Sequence, residues 1–259
     1  MMLWEGFLLG LIQGLTEFLP VSSSGHLVIG QTIFGLRDLL AFDAFIHGAT
    51  MLAIVVYFRR RLLELSRGRS PSYVGKLALG TVPAVVVGLG FREAITRAFD
   101  SPALVAGALA VTGAALLSLG FVPRSRRPPE AGGAEPSWSA AWWIGCAQAF
   151  AILPGISRSG STIVTGIWLG LAPAAAAEFS FLLGIPAIAG AIALQVWIVG
   201  AGSGAWLSPP FLAGAVAAFL SGLAAIFLVF RLLGRGEFRW FGLYCWVAAA
   251  AFGLWLWAR

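Results

Sequence analysis

Eight long apolar stretches run through this 259-residue chain, and two of them are broken near their centres by serine and glycine. The first break reads Pro20-Val-Ser-Ser-Ser-Gly-His26, and the second reads Pro154-Gly-Ile-Ser-Arg-Ser-Gly-Ser-Thr162. The surrounding sequence is 59% hydrophobic and 11% charged, where a soluble domain is about a quarter charged. The mean hydropathy is +0.89. This is the composition of a polytopic helical membrane protein, and no strand-like alternation suggests an outer-membrane barrel. Irregular backbone at membrane depth persists only where protein or water satisfies its polar groups. The two breaks therefore mark a place that handles something polar, and their serines, glycines and arginine suit an anion.

Six stretches are long enough to cross as helices: 40–58, 74–91, 102–122, 174–199, 210–231 and 240–257. The broken stretches, 3–35 and 139–171, have halves of about 15 residues, short of the ~20 that a crossing helix needs. Each is expected to be a re-entrant helix–loop–helix hairpin. The sequence repeats at an offset of 135: Gln13 matches Gln148, Ser22 matches Ser157, Ser24 matches Ser159, Gly25 matches Gly160, and Asp43 matches Glu178. Repeat 1 spans 1–122, a linker 123–138 follows, and repeat 2 spans 139–259, all within one membrane domain. Each half holds one hairpin and three crossings. Three is odd, so the second half inserts upside down. The expected fold is an all-α inverted-topology repeat whose two broken loops meet near the midplane.

Basic residues cluster in three loops: Arg59, Arg60, Arg61, Arg67, Arg69 and Lys76; then Arg124, Arg126 and Arg127; then Arg231, Arg235 and Arg239. The positive-inside rule puts these loops in the cytoplasm and both termini outside. The net charge of +6 belongs to these loops and is not a nucleic-acid signal. Glu5 and the absence of a basic start argue against a cleaved signal peptide. Cys146 and Cys245 sit in apolar runs without metal-ligand spacing and read as small buried hydrophobes.

Ser22, Ser23, Ser24 and Gly25 open a helix whose free N–H groups, hydroxyls and glycine can cradle a phosphate. Ser157, Arg158, Ser159 and Gly160 repeat the arrangement and add a guanidinium that matches phosphate oxygens in pairs. Close helix packing is the competing explanation of the glycines, and it does not account for Arg158. Gln13 and Glu17 share a helix face that leads into the first break. His26 lies one turn beyond Ser23. A serine or water nucleophile, a histidine acid or base, and a glutamate to orient or hold metal make a set for phosphoester chemistry. An intramembrane glutamate alone could instead serve a proton or sodium ion. Asp43 and Glu178 read as helix-start or interface residues, and His47, one turn from Asp43, as structural.

The motifs resemble those of the bacterial undecaprenyl-diphosphate phosphatase family, the bacitracin-resistance type. Gln13-Gly-Leu-Thr-Glu17 fits (E/Q)xxxE and runs into Phe-Leu-Pro-Val-Ser-Ser-Ser-Gly-His26, while 154–162 fits PGxSRSxxT. The resemblance implies hydrolysis of undecaprenyl diphosphate to the monophosphate carrier and phosphate, in the bacterial inner membrane with the site open to the outer side. It implies a divalent cation, Mg2+ or Ca2+, with Glu17 as a ligand. It also implies a polyprenyl diphosphate lipid as partner among the membrane lipids, and leaves room for a homodimer. Glu17, Ser23, His26 and Arg158 are the expected catalytic residues, and Gln13, Ser22, Ser24, Gly25, Ser157, Ser159, Gly160 and Thr162 the expected phosphate-binding ones. The first motif position is glutamine here, so an account needing two carboxylates for the metal does not carry over. A transporter or flippase of lipid phosphates would share the architecture but does not need the Ser–His–Glu set. Type-2 phosphatidic-acid phosphatases need a second histidine six residues after the arginine, where this chain has Val164.

Overall fold

Prolines set where four of the long helices begin. A proline at the first helical position loses no hydrogen bond and arrives with a helical φ. Pro71, Pro102, Pro173 and Pro209 each open a helix. The computed structural model describes residues 1–37, 39–122, 135–199, 207–233 and 238–258. Among them the helices are α1 (Leu3–Phe18), α2 (Ser23–Phe34), α3 (Leu40–Tyr57), α4 (Arg59–Ser66), α5 (Pro71–Gly90), α6 (Arg92–Phe99), α7 (Pro102–Leu117), α8 (Trp138–Phe150), α9 (Arg158–Trp168), α10 (Pro173–Val199), α11 (Pro209–Leu233) and α12 (Phe238–Trp257). A short 3-10 turn, Ser118–Phe121, extends α7. Six of these segments are long and apolar enough to cross a membrane: α3, α5, α7 with its 3-10 turn, α10, α11 and α12. They fall within three residues of the six expected spans. The chain is a multi-pass membrane protein, with large apolar side chains such as Phe121, Trp197, Val247 and Trp257 on its outside.

Both broken stretches are helix–loop–helix pairs, α1–α2 and α8–α9. Two helices are additions to the expected pattern. The basic segment after α3 is itself a helix, α4, in which Arg61 and Glu64 pair one turn apart at 3.5 Å. Arg92 and Arg97 lie on a second short helix, α6. Residues 123–134 of the linker, with Arg124, Arg126 and Arg127, lie outside the described residues, as does Arg235.

The helices pack where glycine lets backbones touch. Along α1, Gly6, Gly10 and Gly14 recur every four residues and press on Pro210, Gly214 and the Ala218–Gly222 turn of α11; a Cβ on any of them would collide. On the other side, Gly145 of α8 meets the backbone of Gly80 on α5, and Gly113 of α7 meets Gly242 of α12. α3 and α10 pack on each other, α3 also on α11, and α10 also on α5. Buried aromatics fill the space below the site: Phe181 of α10 stands edge-on to Phe18 at the end of α1, with ring centroids 5.4 Å apart, and also packs on Phe58 and Phe230. This wall fixes the end of α1 against α10, and so sets Glu17 beside α9 and α10.

Candidate active site

The two breaks are built alike. Each second helix begins one residue after a serine that caps it: Ser22 Oγ accepts from the Gly25 N–H at 3.3 Å, and Ser157 Oγ accepts from the Gly160 N–H at 3.0 Å. Capping matters because the first-turn N–H groups of a helix have no partner within it. The backbones differ. The left-handed residue is Gly155 in the second loop, with φ +95°, but Ser22 in the first, with φ +69°. A buried non-glycine residue there is strained, and such strain concentrates at functional sites. Thr112 of α7 holds the second loop in place: its Oγ1 donates to the Gly155 carbonyl at 2.8 Å and accepts from the Ser157 N–H at 3.0 Å. Gly25 packs on Gly155, so the loops touch, with 3.1 Å from a Cβ placed on the former to the Cα of the latter.

Glu17 is where the loops meet chemically. Its side chain is 6% exposed, and its Oε1 takes a 2.5 Å hydrogen bond from Arg158 Nη2, across 141 residues of sequence. Its Oε2 accepts from Ser23 Oγ at 2.6 Å and from Gln13 Nε2 at 3.1 Å. Arg158 is aimed by α10: Nη1 donates to the Ser180 carbonyl at 3.2 Å. The guanidinium lies over Gly184, where a Cβ would stand within 3.0 Å of three of its atoms. Thr162 is fully buried behind Arg158; its hydroxyl donates to the Arg158 carbonyl and bonds Ser180 Oγ at 2.5 Å. Ser22 and Ser24 hydroxyls face each other at 3.3 Å, as do Ser157 and Ser159. Ser159 also reaches the Leu19 carbonyl at 3.3 Å, tying one break to the other.

His26 takes partners other than Ser23. Its Nδ1 donates to the Ser22 carbonyl and its Nε2 accepts from Tyr244 Oη of α12, both at 2.8 Å. The two rings also stack, 8° from parallel. The group that contacts the Ser23 hydroxyl is the Glu17 carboxylate. His47 of α3 faces the same carboxylate, with Nε2 3.9 Å from Glu17 Oε2.

Among the described residues no group of three or more His, Cys, Asp or Glu could hold a metal ion. One carboxylate completed by phosphate oxygens is, however, how Mg2+ is commonly held. Glu17 with Gln13, whose buried Oε1 has no partner, fits that pattern.

A family model described as bacitracin resistance protein BacA matches residues 6–251. The chain belongs to the BacA family. Its relatives include proteins named undecaprenyl-diphosphatase from Desulfosudis oleivorans, 40% identical over 98% of this chain and 97% of theirs, and from Syntrophotalea carbinolica, 42% identical over 96% and 97%. A third, from Carboxydothermus hydrogenoformans, is 39% identical over 94% of each chain. Within this BacA-family chain the residues singled out in sequence converge: Gln13, Glu17, Ser23 and Arg158 form one bonded group, and Ser22, Ser24, Gly25, Ser157, Ser159 and Gly160 build the two helix starts around it. His26 stands at the edge, against Tyr244. Sequence reasoning missed Thr50, whose Oγ1 accepts from Gln13 Nε2 at 3.4 Å, as well as Thr112, Ser180, Gly184 and Tyr244, and placed His47 outside the site. The serine and the two threonines among these are lone polar positions on apolar helices, where back-bonding to the preceding turn is the ordinary expectation.

Proposed function

We propose that this chain hydrolyses undecaprenyl diphosphate to undecaprenyl phosphate and inorganic phosphate. The observation that carries this is the Glu17 carboxylate, shared between a serine hydroxyl and an arginine contributed by two different broken helix pairs. Without substrate the arginine is stored on Glu17. A diphosphate entering between the loops offers Arg158 better acceptors, since phosphate matches its fork. Glu17 is then released to take the Ser23 proton. Ser23 Oγ forms a bond to the terminal phosphorus, the bridging P–O bond breaks, and undecaprenyl phosphate leaves. Water then cleaves the phosphoserine. Arg158 and the helix-start amides stabilise the charge that develops on the phosphoryl oxygens. The Ser22 and Ser24 hydroxyls bond each other and not the carboxylate, which favours Ser23 as nucleophile. The proton that Glu17 has taken passes to the leaving phosphate oxygen, which frees the carboxylate to activate the water that cleaves the phosphoserine, while Tyr244 holds His26 at the edge of the site. A divalent cation on Glu17 and Gln13 would supply charge neutralisation of the diphosphate.

The swapped packing of the corresponding helices supports an inverted repeat: α1 on α11 and α8 on α5, α3 on α11 and α10 on α5, with α7–α12 and α3–α10 as self-paired contacts. Each broken pair then enters and leaves on its own side, the first from outside and the second from the cytoplasm, the basic loops face the cytoplasm, and the site opens outward with both termini. Transport of lipid phosphates would use the same architecture, yet the relatives are named as phosphatases and a transporter needs no serine on a carboxylate. Phosphate release by the purified chain with Arg158→Lys is the test. Lysine keeps the charge and loses the fork, so turnover should fall by about 10²-fold or more. Near-normal release would remove Arg158 from the reaction.

A further inference from the structure

Glu17 has a neighbour that this reaction leaves idle. His47 Nδ1 lies 2.7 Å from the Asp43 carbonyl oxygen, so that nitrogen carries the proton. The other nitrogen of a neutral imidazole then presents a lone pair, and it faces Glu17 Oε2 at 3.9 Å. Two acceptors facing each other do not make a hydrogen bond; either a proton on Nε2, which makes an ion pair, or a metal cation joins them. An imidazole whose far N–H is held by a backbone carbonyl is also the arrangement that metal-ligating histidines adopt. Donor atoms sharing one ion at about 2.1 Å lie between about 3 Å and about 4.2 Å apart, from adjacent to opposite positions. The 3.9 Å separation falls inside that window.

Gln13 supplies the independent observation. It is fully buried, its Oε1 has no partner, and its Nε2 sits 3.1 Å from the same Glu17 oxygen. A half-turn of the amide exchanges its two ends, turns Oε1 toward Glu17 and lets it accept from the Thr50 hydroxyl that Nε2 now reaches at 3.4 Å. Arg158 occupies the opposite carboxylate oxygen, Oε1; an ion on Oε2 displaces the Ser23 hydroxyl that bonds it at 2.6 Å, and the Oε1 that Arg158 vacates for the phosphate takes the Ser23 proton. The His47 side chain is 28% exposed, so an ion and the phosphates that follow it can reach the imidazole.

We propose that His47 Nε2, Glu17 Oε2 and Gln13 Oε1 form the protein side of a divalent-cation site whose remaining positions are open to phosphate oxygens. His47 thereby replaces the strong donor lost where position 13 is glutamine rather than glutamate. Oxygen ligands suit Mg2+, Ca2+ and Mn2+, while an imidazole moves the preference toward Zn2+ and other transition ions. The proposal rests on the reading that these loops bind a lipid diphosphate.

Mn2+ added to the untagged full chain in detergent, observed by pulsed EPR, tests it. Directly bound imidazole nitrogen modulates the Mn2+ echo, and the chain has only two histidines. Nitrogen modulation should be present in the wild type and in His26→Ala, and absent in His47→Gln, whose Mn2+ Kd should weaken about 10-fold or more. Failure of the folded wild type to bind Mn2+, binding without nitrogen modulation, or modulation that survives His47→Gln would overturn the site. Phosphate release in the same preparation separates the two readings. Release without nitrogen modulation sinks the His47 site alone, and nitrogen modulation without any release sinks the phosphatase reading.

Discussion

Glu17 serves several partners with one carboxylate, and Arg158 depends on it most. Both side chains are largely removed from water, at 6% and 15% exposure. Removing one charge from such a pair leaves the other buried and uncompensated, at a cost of about 3–5 kcal/mol. Glu17→Gln should therefore lower stability by that order in detergent unfolding, and adding Arg158→Met should recover much of the loss. Losses that simply add would show that the two side chains are not coupled. Gln13, Glu17 and Arg158 were legible in sequence because a charged or amide group inside an apolar run is costly unless it is used, and Ser23 because it lies in the break that Gln13 and Glu17 lead into. His47 was not, because a histidine one turn from an acid on a long helix has an ordinary structural explanation. Its orientation is decided by the fold of α3 against α1, which no local pattern records.

α10 shows how one element can position a residue that another element carries. It places the Ser180 carbonyl to accept from Arg158 and leaves Gly184 bare beneath the guanidinium. A methyl at Gly184 meets the far end of a flexible side chain, so the protein can accommodate it by moving Arg158. Gly184→Ala should keep the unfolding midpoint close to wild type while phosphate release falls about 10-fold or more, as expected when a charge-stabilising donor is misplaced. A large loss of stability with intact specific activity would contradict this. The long helices were legible from hydropathy and from the prolines that start them. The α4 and α6 helices were not, because their charges read as loop. The glycines of α1 were visible in sequence, but only the packing shows that they seat this helix on α11.

At the scale of the whole molecule, two broken helix pairs deliver unequal halves of one site. The first brings the carboxylate, the proposed nucleophile Ser23 and a histidine; the second brings the arginine, which α10 aims. The proposed inverted arrangement predicts sidedness. With Cys146 and Cys245 replaced by alanine, Glu93→Cys should react with an impermeant maleimide on intact cells. Arg67→Cys should react only after the membrane is opened. Labelling of both from the same side would contradict the topology. The central claim is that Ser23, aligned by Glu17 and served by Arg158 from the opposite loop, attacks the terminal phosphorus. Single turnover of undecaprenyl diphosphate labelled at that phosphorus, quenched in acid, tests it most directly. Label should pass transiently through a peptide containing Ser23 before appearing as free phosphate, and Ser23→Ala should abolish both. Label on another residue, or free phosphate formed at the wild-type rate by Ser23→Ala, would contradict the account.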